Sequence, residues 1–101
     1  MIIESPELAD VISDGYVSGT ISVTTSEIEA KVGVSPLTGR EILTIYNGGN
    51  KTIFYGPTGV TIMTGIPIFK DQVVSLPIGQ SLSIFLITYS GTQTARIQEF
   101  A

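Results

Sequence analysis

A chain of 101 residues, 43% hydrophobic and only 14% charged with net charge −4, holds one folded domain that is short of solubilising charge. With neither cysteine nor histidine it makes no disulfide, no zinc site of the usual ligands, and neither a Ser-His-Asp nor a Cys-His arrangement. Its five bases, Lys31, Arg40, Lys51, Lys70 and Arg96, are scattered, so no basic stripe exists to neutralise a nucleic-acid backbone.

The first residues, MIIESPELAD, lack the basic n-region and long apolar run of a secretion signal, so synthesis in a cytoplasm is expected. Residues 5–15, SPELADVISDG, read in two ways. Ser5 as N-cap, Pro6 at the first helical position and Gly15 as terminator fit a short helix. Two turns are marginal in water, so an extended arm that orders against a neighbour fits equally. Six of the nine acidic residues, Glu4, Glu7, Asp10, Asp14, Glu27 and Glu29, precede the first base. The expected division is an arm or short helix over 1–17 and a β domain over 18–101.

Beyond Gly15 the apolar period changes to two. TISVT (20–24) turns Ile21 and Val23 inward. EIEAKVGV (27–34) sets Ile28, Ala30, Val32 and Val34 against Glu27, Glu29, Lys31 and Gly33. SPLTGR (35–40) reads as a connection. Further strands are expected at EILTIYN (41–47), KTIFYG (51–56), GVTIM (59–63), QVVSLP (72–77), SLSIFLITY (81–89) and TARIQEF (94–100). Asn47-Gly48-Gly49-Asn50 reads as a hairpin turn from 41–47 into 51–56, since Asn and Gly accept positive φ, and Gly56-Pro57 ends the second strand. The segment 81–89 is apolar on both faces, with Leu82, Ile84 and Leu86 on one and Phe85, Ile87 and Tyr89 on the other. It reads as a central strand whose second face needs a cover. Together these runs predict an all-β, single-domain antiparallel β-sandwich, jelly-roll-like. The run 81–89 is too short to span a bilayer as a helix, and the strands are too few and short for a membrane barrel.

Little in the chain suggests catalysis. GGNKT (48–52) has the lysine and threonine of a phosphate loop, but β-branched and aromatic residues follow where a helix should. Glu27 and Glu29 lie beside Lys31 on an outward face, Lys70 and Asp71 share a turn, and Glu99 reads as solubilising an edge. ISDG (12–15) supplies one aspartate where a calcium loop needs several oxygen ligands. No enzyme activity, cofactor or metal is expected. Tyr46, Phe54 and Tyr55 are candidates for stacking on a sugar.

The segments PLTGRE (36–41), IYN (45–47), TIFYG (52–56), TGVT (58–61), GIPI (65–68), VSLPIG (74–79), SIFLIT (83–88) and GTQTARIQEFA (91–101) follow one another in a familiar order. In these, over residues 18–101, the chain resembles small structural proteins encoded in tailed bacteriophage genomes. The resemblance implies a compact β-sandwich that attaches to a larger particle, and it carries no catalytic residue across. Between Thr52 and Ala95 the only charged side chains are Lys70 and Asp71, which suits a subunit set against neighbours. The leading expectation is a non-enzymatic virion protein, a capsid decoration or cement protein. It would be made in the host cytoplasm and bound to the major capsid protein as a homo-oligomer, possibly a trimer, with neither nucleic acid nor membrane as partner. A neck, tail or baseplate component and a carbohydrate-binding module are the alternatives. Contacts are expected from the arm (Ile2, Ile3, Leu8), the hairpin tip (Asn47, Gly48, Gly49, Asn50, Lys51) and the following loop (Pro57, Thr58, Met63, Ile66).

Overall fold

Alternating apolar residues build two sheets that face each other. In the computed structural model, which describes residues 15–101, the strands are β1 (Tyr16–Val23), β2 (Ile28–Glu29), β3 (Ile42–Asn47), β4 (Ile53–Gly56), β5 (Ile66–Ile68), β6 (Val73–Leu76), β7 (Phe85–Thr88) and β8 (Gln93–Phe100). They form two antiparallel sheets of four, ordered β1-β8-β3-β6 and β2-β7-β4-β5. β1 pairs with β8, β2 with β7, β3 with β6 and β4 with β5, each pair in one sheet or the other by turns. The chain is thus one long hairpin wound into a sandwich, the eight-stranded jelly roll. The expected all-β antiparallel sandwich is the observed fold.

The core lies between the sheets and is made of Val23, Ala30, Leu43, Ile45, Ile53, Ile68, Leu86, Ala95 and Ile97, all buried. Each fully buried Leu or Ile contributes about 1.5 to 3 kcal/mol through removal from water. As expected, β7 is an inner strand, flanked by β2 and β4, and Leu86 points into the core.

Several expectations are corrected. Residues 41–47 and 51–56 do not form a hairpin, because β3 and β4 lie in different sheets and the segment between them crosses the sandwich. Gly48 and Gly49 are not at positive φ; that conformation occurs at Gly39, Gly59, Gly91 and Asp71. Gly49 is required by space instead, since a Cβ there would collide with the Gln93 side chain, lying 2.8 Å from its Cβ. GVTIM is a turn: Thr61 Oγ1 accepts from the amides of Met63 and Thr64, both at 3.2 Å, which bends the backbone before a strand can form. The strand comes later, as β5, where Pro67 is tolerated because β5 is a sheet edge.

Other bounds shift. β1 begins at Tyr16, so residues 16 and 17, grouped above with the arm, pair with Phe100 and Glu99. The residues before Gly15, with the helix-or-arm reading of that segment, lie outside the described residues. β2 has two residues, because the amide of Val32 turns away to the Glu99 carboxylate (3.2 Å), and Val34 ends 93% exposed. β7 starts only at Phe85, and Leu82 and Tyr89 are exposed.

Glu99 does not solubilise an edge. β8 runs between β1 and β3, and its inward row is Gln93, Ala95, Ile97, Glu99 and, just past the strand, Ala101, so the carboxylate is fully buried. There it meets Arg40 Nη1 at 2.7 Å and accepts from the amides of Val32 and Leu37.

Candidate interaction face

The two outer faces of the sandwich differ in chemistry. That of the first sheet is polar over most of its strands, where Ser18, Thr20, Ser22, Thr94, Arg96, Gln98, Thr44 and Ser75 fall on it by alternation, with the row Tyr16, Phe100 and Ile42 at one end and Val73 on edge strand β6 as its apolar margins. The Thr44 and Ser75 hydroxyls bond across strands at 3.0 Å, and the Arg96 guanidinium sits 5.2 Å from the Tyr46 ring centre. Tyr46 donates its hydroxyl to Asp71 Oδ1 at 3.0 Å, which raises the phenol above its ordinary pKa because ionising it would put two anions together. Lys70, bonded to Asp71, and then the Tyr46 hydroxyl hold that carboxyl below its ordinary value.

The second sheet shows water an apolar outer face. Alternation from the buried Ile53 turns Phe54 outward, opposite Pro67 on β5 and Ile87 on β7. Phe85, outward on the same strand as Ile87, faces Gly56 on one side and Glu29 on the other. Phe54, Phe85 and Ile87 are half-buried, and Pro67 is exposed. The β4–β5 loop folds over one end of this face and lays Val60 on it. Space for Val60 comes from two glycines: a Cβ on Gly56 or Gly65 would stand 2.9 Å from Val60 Cγ2. Glu27 fixes the loop from outside, accepting from Thr58 Oγ1 (2.9 Å) and the Gly59 amide (2.7 Å). The loop then offers Ile62 and Met63, the latter 87% exposed. At the β2 margin Glu29 and Lys31 pair at 3.2 Å.

The expected contact residues fall into separate places. Pro57, Thr58 and Met63 lie on the loop that borders this face and are exposed. Ile66 is exposed at the start of edge strand β5, but on the same side of that strand as buried Ile68. The segment Asn47–Lys51 is at the other end of β4 and is not a free tip. Asn47 is fully buried, its amide nitrogen donating to the carbonyls of Lys51 (2.9 Å) and Ile68 (2.8 Å) while its oxygen accepts from Gly49. Gln93 Oε1 takes the amides of Asn50 (2.8 Å) and Lys51 (3.0 Å), and Lys51 Nζ is engaged by Ser90 at 2.9 Å. Gly48 and Asn50 alone of the five are exposed, and Gly49 and Lys51 are half-buried. Replacing Asn47 by alanine is expected to cost about 2 kcal/mol through orphaned backbone groups, read as a lower urea midpoint. Ile2, Ile3 and Leu8 lie outside the described residues.

The three aromatics considered for sugar stacking are not brought together. Tyr46 is on the outer face of the first sheet, Phe54 on that of the second, and Tyr55 packs inward against the core. Of the apolar face, Phe85 and Ile87 were signalled by the two-faced pattern of 81–89. Val60 was not, because nothing local in the sequence says that a loop will fold back over a pair of glycines, and Phe54 was singled out only for stacking on a sugar. No protein-family model matches the chain, and no curated protein matches it.

Proposed function

We propose that the chain is a non-enzymatic structural subunit of a tailed-bacteriophage particle, a capsid decoration or cement protein that docks on the shell through the apolar outer face of its second sheet. The observation that carries this reading is that face itself: half-buried Phe54, Phe85 and Ile87 side by side with exposed Pro67, and Met63 exposed on the adjoining loop, on a chain whose other outer face is hydroxylated over most of its strands and apolar only at its margins. Contiguous exposed apolar surface marks interaction sites. The jelly-roll fold and the resemblance of residues 18–101 to small phage structural proteins support the same reading. Bound only to assembled shell, such a subunit stabilises the particle by mass action.

The test is attachment to purified shells that lack this chain, measured by co-sedimentation. Ile87→Glu, which puts a charge in the middle of the face, is expected to weaken attachment about tenfold or more. Thr94→Glu, on the outer face of the first sheet, leaves it unchanged. Equal attachment of Ile87→Glu and the unsubstituted chain contradicts the docking face. A chain that does not attach at all contradicts the function.

A further inference from the structure

Four strands lie at sheet edges, and three of them are protected against adding another strand. β2 has two residues, β5 carries Pro67 in its centre, and β6 has four residues and is closed by Pro77. β1 has no such device. It is eight residues long, YVSGTISV, with neither charge nor proline, and its register to β8 is unbroken from Tyr16↔Phe100 to Val23↔Gln93. Among the described residues no strand pairs with its outer side.

The hydrogen-bond phase of that edge follows from one pair. Gly15 and Ala101 exchange both backbone bonds, at 3.1 and 2.9 Å. In an antiparallel ladder such pairs alternate with pairs that make none. In this register Val17, Gly19, Ile21 and Val23 therefore bond to β8, while Tyr16, Ser18, Thr20 and Ser22 aim their N–H and C=O groups outward.

We propose that this edge binds the β1 edge of a second copy, antiparallel about a two-fold axis at Gly19, joining the two first sheets into one of eight strands. In this register Ser18 lies opposite Thr20 of the other copy and Tyr16 opposite Ser22, so all four outward residues on each side find a partner. The pairing makes about eight backbone hydrogen bonds, within the number a stable interface usually carries. At the axis Gly19 meets Gly19, with no side chain to hold the strands apart. β1 contributes no charged group to the contact, so the repulsion between two chains of net charge −4 is not concentrated at this edge. The geometry is two-fold where a trimer was the sequence-based expectation. The axis stands perpendicular to the sheet, so both apolar outer faces of the second sheets point the same way, and one dimer grips a surface at two points.

This inference goes beyond the docking reading and does not depend on it, because its test uses the isolated full chain. Sedimentation at about 50 µM, a concentration that saturates a micromolar association, is expected to give twice the 10.7 kDa of one chain. Thr20→Pro removes an outward N–H and no bond to β8, and it follows a glycine, so the ring meets no preceding Cβ. It is expected to halve the mass while keeping the strand-type circular dichroism. Ser18→Lys/Thr20→Lys sets like charges opposite each other across the axis and is expected to do the same, so the prediction stands on a second variant should the proline impair folding. A monomeric unsubstituted chain overturns the proposal, as does a dimer that survives both variants. A monomer whose shell attachment is lost in Thr20→Pro also overturns it, and assigns the edge to a strand of the shell protein.

Discussion

Replacing Arg40 by methionine is expected to cost the fold about 3 to 5 kcal/mol, which for a domain of this size lowers Tm by at least about 12 °C. The cause is the charge left behind. Arg40 is 2% exposed and Glu99 is 0% exposed, and their contact at 2.7 Å is the only one through which the buried carboxylate meets a cation among the described residues. The pair also organises three stretches of chain that have little regular structure of their own. Arg40 Nη2 donates to the carbonyls of Gly79 (3.0 Å) and Leu82 (2.8 Å), and Glu99 accepts the amides of Val32 (3.2 Å) and Leu37 (3.2 Å). Methionine keeps much of the volume and none of the bonds that Arg40 itself makes. The double variant Arg40→Met/Glu99→Leu is expected to be more stable than Arg40→Met alone, since it removes the unpaired charge. It remains below the unsubstituted chain, because the two amides and two carbonyls lose their partners. Thermal melts of the three proteins check this, and an Arg40→Met melt within a few degrees of the unsubstituted chain contradicts it.

Leu86→Ala is expected to destabilise by about 2 to 5 kcal/mol, whereas Ile84→Ala should fall at or below the lower end of that range. Both belong to the same apolar run, and on alternation alone they share one face. The structure separates them. Leu86 is fully buried on β7, between Ile28 on β2 and Tyr55 on β4, at the centre of the core. Ile84 precedes the strand and only packs partly against that core, so its removal leaves a cavity open to solvent, which costs less. Urea denaturation gives both values, and equal losses would place the start of β7 earlier than residue 85.

What the sequence made legible is what period two encodes. The inward pair Ile21/Val23 and the strand runs at 41–47 and 94–100 could be read from the sequence, and with them the sandwich. Which sheet a strand joins could not, since that is decided by pairings far along the chain. Asn47-Gly48-Gly49-Asn50 shows why: the same residues suit a hairpin, and it is the buried Asn47 side chain bonded to Ile68, with Gln93 holding the Asn50 amide from 43 positions away, that makes it a crossover. Glu99 was misread for a related reason. A glutamate near the end of a strand usually faces water, and the arginine that allows its burial stands 59 residues away in a loop. The candidate face was half legible. Phe85 and Ile87 followed from a run apolar on both sides, while the contribution of Phe54 appeared only once β4 was placed beside β7.

The central claim, that this is a shell-bound subunit, is tested most directly by counting copies of the chain in purified particles by quantitative mass spectrometry. A decoration protein repeats with the symmetry of the shell, so on the order of hundreds of copies per particle are predicted. A count in the tens or fewer would contradict shell decoration and place the chain in the neck, tail or baseplate, and its absence from particles would contradict a virion role altogether.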